Sequence, residues 1–153
     1  MGNRISLRFK NIQQYLQGEP FEETSVVIYD HWGGEYMLPA LQLFRDDVLI
    51  PTQKNKANVC EGPMERMEVS KVVAEFFAFY AKIRGIQSLW IEKEMENTDI
   101  GDNGNWTMIL APGDKQFHLI HTGEHFSKDD KWTSELYVEE FDSIEEAIKK
   151  MEN

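Results

Sequence analysis

Two short stretches combine side chains capable of chemistry with glycines that would place them. Asp30-His31-Trp32 runs directly into Gly33-Gly34, and Asp99, Asp102 and Asn103 lie within Asp99-Ile-Gly-Asp-Asn-Gly104. An aspartate beside a histidine is the material of an acid–base dyad, with the carboxylate orienting the imidazole. Neighbouring strand residues point to opposite faces, however, so a dyad requires the turn to have begun at Asp30. The local alternative has Asp30 accepting the amides of Gly33 and Gly34 while Trp32 covers the edge of the core. The oxygens of Asp99, Asp102 and Asn103 suit a hard cation, without the alternating spacing and closing glutamate of a calcium loop. Asp-Asn-Gly also makes a tight turn with no ion, since Asn and Gly tolerate positive φ. His31, Asp99 and Asp102 would serve a metal-dependent hydrolase only if the two turns met at one end of a sheet.

His121-Thr-Gly-Glu-His125 matches the letters of an inverted zinc-hydrolase motif. That chemistry needs the histidines one turn apart on a rigid helix. Here the stretch ends an alternating strand and carries a central glycine, so a hairpin turn with surface histidines is the better reading. Cys60 sits in a loop with no sequence neighbour to activate its thiol. There is no phosphate-cradling loop ending in Lys-Ser or Lys-Thr and no serine nucleophile elbow. No catalytic residue, metal or other cofactor is therefore assigned.

Strands and helices must hold these turns. Ile5, Leu7 and Phe9 alternate with Arg4, Ser6, Arg8 and Lys10, the pattern of a half-buried strand. Residues 11–24 read as a loop or extended hairpin connection, and Ser25–Tyr29 as a strand antiparallel to the first. Met37, Leu38, Leu41, Phe44 and Val48 recur at helical spacing, and that helix should stop before Pro51. Val69, Val72, Val73, Phe76, Phe77, Tyr80 and Ile83 predict a helix over 69–84 with Gly85 as its cap. Phe79 falls nearer the polar side, either covered by another element or part of an exposed patch. Strands over 88–94, 106–110, 116–122 and 133–141 suggest a four-strand meander, and Ser143 with Glu146 forms a capping box for a last helix. The expected architecture is a single α+β domain spanning 1–153, a mainly antiparallel sheet in β2-α2-β4-α order with helices on one face.

Composition narrows the functional classes. The chain has 153 residues, 41% of them hydrophobic, and its apolar runs are far too short to span a bilayer. The solitary Cys60 cannot support an intrachain disulfide, and the polar N-terminus has no signal-peptide core, so a cytoplasmic setting is expected. The opening residues fit a myristoylation pattern but also begin a strand, and Asn105-Trp-Thr107 is a chance glycosylation tripeptide. The net charge of −11 is uneven: residues 1–91 hold 11 acids and 10 bases, residues 92–153 hold 16 and 6. Direct nucleic-acid binding needs clustered Lys and Arg, so it is not expected.

Asn3-Arg-Ile-Ser, Ser25-Val-Val-Ile-Tyr-Asp-His-Trp-Gly-Gly34, Met64-Glu-Arg-Met-Glu68 and Ser88-Leu-Trp-Ile with Asp99-Ile-Gly-Asp-Asn-Gly104 together resemble a family of small uncharacterised proteins of prokaryotes and phages. The resemblance covers about residues 3–110 and implies a single intracellular domain, with no activity to carry over. The leading expectation is a non-enzymatic protein-binding or regulatory domain, its partner another protein or a second copy. Phe79, Trp90 and Trp106 are its candidate exposed aromatics. The alternatives are the hydrolase above and an acidic nucleic-acid mimic that occupies a basic site on another protein.

Overall fold

The period-two alternation starting at Ile5 produces β1 (Ile5–Gln14); β2 (Pro20–Thr24) runs back along it, and past Ser25-Val26 the chain continues in the same direction as β3 (Val27–Asp30). The computed structural model describes residues 2–14, 20–53, 68–95, 102–110, 117–126 and 134–152. The remaining strands are β4 (Leu89–Glu92), β5 (Asn105–Leu110), β6 (Leu119–Phe126) and β7 (Ser134–Phe141). They form a seven-stranded sheet in the order β4-β3-β1-β5-β6-β7, with β2 also paired to β1. β5 lies parallel to β1, Leu7 opposite Trp106, while the other pairs are antiparallel.

The molecule is α+β, but the expected mainly antiparallel sheet is corrected to a mixed one. Three strands precede the first helix, and β4 leaves the supposed meander to pair with β3, Trp90 opposite Tyr29. Alternation decides which face each residue takes and says nothing about which strand lies next to it.

Met37, Leu38, Ala40, Leu41 and Phe44 are the buried face of α1 (Met37–Phe44). The helix does not stop before Pro51. A π-helical turn, Arg45–Leu49, carries it into α2 (Ile50–Gln53), so the helix runs on through Pro51, which falls just past the turn where the hydrogen-bond ladder shifts. α3 (Val69–Arg84) has the predicted bounds, and Gly85 leaves it at φ 78°. α4 (Ile144–Met151) starts at Ser143, whose Oγ accepts the Glu146 N–H, and Glu146 returns a bond to the Asp142 N–H.

The apolar residues of α1, α3 and α4 join Ile5, Leu7, Phe9, Ile28, Trp106, Met108 and Leu119 in one core, so these helices cover one face of the sheet. Phe76 is its pivot, edge-on to Phe9 and Phe44. Arg45, nearly buried, ties α1 to α4 through the Glu145 carboxylate, and Gln42 donates to the same group. Among the described residues no helix is long and apolar enough to cross a membrane.

Candidate functional site

The turn after β3 and the turn before β5 meet, and Asn3-Arg4 joins them. The Asn3 N–H donates to the His31 carbonyl, and the Gly34 N–H donates to the Asn3 carbonyl, both at 2.9 Å. From the other side, the Asn103 N–H donates to the Arg4 carbonyl at 3.2 Å, and Asn103 Nδ2 reaches Asn3 Oδ1 at 2.6 Å and the same Arg4 carbonyl at 2.9 Å. Asp102 Oδ2 accepts from the Arg4 N–H and from Arg4 Nε, each at 3.1 Å. A side chain on Gly34 would overlap the amides of Asn3 and Asn103. Asp102 and Gly104 take positive φ, 67° and 77°. The Arg4 N–H above all, then its guanidinium, hold the Asp102 carboxyl below its usual range; slight burial opposes them, and protonated His31 adds a smaller push. Asp99 lies outside the described residues.

Asp30 and His31 part company. Asp30 points into the core side with no exposed surface, and its carboxylate is fully engaged. Oδ1 accepts from Ser88 Oγ at 2.8 Å and from the Trp32 N–H at 3.0 Å; Oδ2 accepts from Tyr80 Oη at 2.5 Å and from Arg84 Nε at 3.2 Å. Burial alone would raise its pKa, but the Tyr80 hydroxyl, the Trp32 amide, Ser88 and Arg84 together bring it below the usual value. The same contact and burial push the Tyr80 phenol well up. The expected Gly33 and Gly34 amides are not the donors: Gly33 packs on the carboxylate, and the Gly34 N–H goes to Asn3. Asp30 is thus a bolt between β3, α3 and the start of β4, and the dyad does not form.

His31 joins an aromatic group on the outer face of the sheet. Its ring stands edge-on to Trp32 with centroids 5.1 Å apart, 6.2 Å from Trp90 and 6.3 Å from Tyr29, and Nδ1 is 3.4 Å from Tyr29 Oη. Tyr29 and Trp90 are cross-strand neighbours at 5.8 Å. Trp32 does not cover the core edge; it is 51% exposed, and Trp90 is 50% exposed. Arg84 lies over the Tyr36 ring and donates to the Trp32 carbonyl, linking this surface to the Asp30 bolt.

The other two candidate aromatics are not on the surface. Trp106 is completely buried, stacked on the His121 ring at 4.1 Å, and Phe79 is partly buried edge-on to Phe44. Trp106 Nε1 and His121 Nε2 both donate to the Asn103 carbonyl, at 2.9 and 3.0 Å, which requires the proton of His121 on Nε2. His121 is buried and its pKa falls below 6.5, burial outweighing the Asn103 bond.

The expected hairpin turn over 121–125 is also corrected, because β6 continues to Phe126 with Gly123 beneath the Tyr137 ring. On a strand, residues four apart lie about 13 Å from one another, too far to share a zinc ion. Among the described residues no group of three His, Cys, Asp or Glu side chains comes together. Cys60 is outside those residues.

Tyr80 and Arg84 carry no motif, Asn3 and Ser88 stand in the sequence only within the stretches that carry the family resemblance, and the roles of all four come from the pairing of distant elements. Compared with known proteins, the chain matches no protein-family model, no curated protein and no solved structure.

Proposed function

We propose that this chain is a non-enzymatic protein-binding domain that receives a polypeptide along β4. The observation that carries this reading is that β4 ends the sheet, with no strand paired to its far side among the described residues. Trp90 and Ile91 are 50% and 55% exposed there, and Ile86 just before them is 66% exposed. The same side borders an apolar groove of about 520 Å³ between β4 and α3, lined by Val26, Ile28, Val73, Phe77 and Ile91. A sheet edge adds a strand through backbone hydrogen bonds and reads alternate side chains through neighbouring pockets. The polar candidates are engaged in structural work instead: Asp30 has four donors, and Asp102 is held by Arg4.

A photoreactive amino acid at position 90, activated in cells making the protein, tests this. Adducts with a polypeptide from position 90, and none from position 136 on β7, are expected. Absence of any adduct at 90 contradicts the proposal.

A further inference from the structure

A sheet has two edges, and in this chain they differ sharply. β7, at one end, carries Glu135, Glu139 and Glu140 among its eight residues. Charges on an edge strand deter other strands from adding to it, and two copies meeting there would oppose carboxylates. β4, at the other end, has its one charge at its last residue, Glu92, and is entered through Gly85-Ile-Gln-Ser-Leu-Trp-Ile91, seven residues without a charge or a proline. In a chain of which 28% of residues are charged, the stretch leading through Leu89, Trp90 and Ile91 carries neither charge nor proline, and the guards on this edge are its shortness and the terminal Glu92.

The strand also matches itself. The His31 N–H donates to the Ser88 carbonyl, so Ser88 and Trp90 turn their backbone groups to β3; the Leu89 carbonyl and both backbone groups of Ile91 turn away from it, while the Leu89 N–H closes a turn on the Ile86 carbonyl at 3.2 Å. Two antiparallel copies of β4 centred on Trp90 bring Leu89 opposite Ile91 of the other copy, so that the Ile91 N–H of each faces the Leu89 carbonyl of the other. Trp90 then lies opposite its own counterpart at a non-hydrogen-bonded position, where side chains are closest and an aromatic pair contributes most. Glu92 meets Ser88 and Lys93 meets Gln87, so no like charges are opposed. Both sets of helices stay on one face, and the groove beside Val73 and Phe77 faces its twin.

Trp90, Ile91, Ile86 and Val26 are 37–66% exposed, which is on the order of 100 Å² each and about half of the ~800 Å² per partner that a standard interface buries. The strand backbone and groove walls supply the remainder.

We infer that the polypeptide received at β4 is a second copy of this chain, joined β4 to β4 about a two-fold axis at Trp90 to make one continuous sheet. This rests on the reading of β4 as a binding edge and specifies its occupant. Light scattering on the purified full chain should give twice the monomer mass of 17.9 kDa. Ile91→Lys, which puts a charge on the edge at a half-exposed position, should weaken association more than roughly tenfold. Leu136→Lys on β7 should leave the mass doubled. Circular dichroism and the unfolding midpoint of each variant show that it is folded.

A wild-type monomer at every concentration overturns the inference, and so does a dimer that Leu136→Lys dissolves and Ile91→Lys does not. If the purified chain is monomeric yet position 90 still cross-links to a different polypeptide, the inference fails and the binding reading stands. If neither association nor adduct is found, both fail.

Discussion

Asp30 connects three elements through one carboxylate, so its replacement should be felt across all of them. Asp30→Asn leaves Arg84 without its buried counter-charge and sets an amide NH2, a donor, where a carboxylate oxygen accepted from donors, at a cost of about 3 kcal/mol in denaturant unfolding. Tyr80→Phe removes one of four donors and should cost about 1–2 kcal/mol. Because the Asp30 carboxyl is lowered in the folded chain, its contribution is complete above the ordinary value of 3.8 and is lost as pH falls through the lower folded value. His121 acts in a milder range. Its folded pKa is below 6.5, so the unfolded chain binds more protons and stability declines as pH falls from 6.5. His121→Phe keeps a ring on Trp106 and should flatten that decline in a pH series of unfolding midpoints. These roles were legible only in outline. Asp30 and His31 were separable by strand alternation, but nothing in their neighbourhood names Tyr80 or Arg84, fifty and more residues away.

At the scale of elements, the latch between the two turns holds the N-terminal strand in register. Asn103→Ala removes both side-chain bonds to Asn3 and Arg4 and should cost about 1–3 kcal/mol, with faster amide exchange at Asn3 and Gly34. Gly34→Ala should do comparable damage by sterics alone, since its Cβ has no space between Asn3 and Asn103. The helices were the most legible elements. In α3 the apolar spacing and Gly85 define both ends, because helical hydrogen bonds are local. The strands were legible as strands and illegible as neighbours: β5 pairs with β1 across nearly a hundred residues, and the pattern of Trp106, Met108 and Leu110 suits either side of the sheet. The continuation through Pro51 was hidden because a π-helical turn shifts the hydrogen-bond ladder without altering composition.

For the whole molecule, the −11 charge and the apolar residues Leu89, Trp90 and Ile91 of β4 pull in opposite directions. Two copies repel through their surfaces and attract through an apolar strand, so added salt should tighten the dimer by screening the repulsion. A contact built on surface ion pairs would respond in the opposite sense. The candidate site was half legible. The sequence points to two polar turns, which do meet, yet their meeting is a structural latch, while the edge proposed to receive a partner, β4, has no polar motif to mark it.

Amide hydrogen exchange resolved at two adjacent residues of β4 tests the central claim most directly. The Trp90 N–H turns toward β3 and should be protected at any dilution, whereas the Ile91 N–H turns to the open side. The Ile91 N–H should become protected as protein concentration rises, and Ile91→Lys at the same concentration should leave the amide of residue 91 exchanging freely. An Ile91 amide that exchanges freely at every concentration while Trp90 stays protected would contradict it.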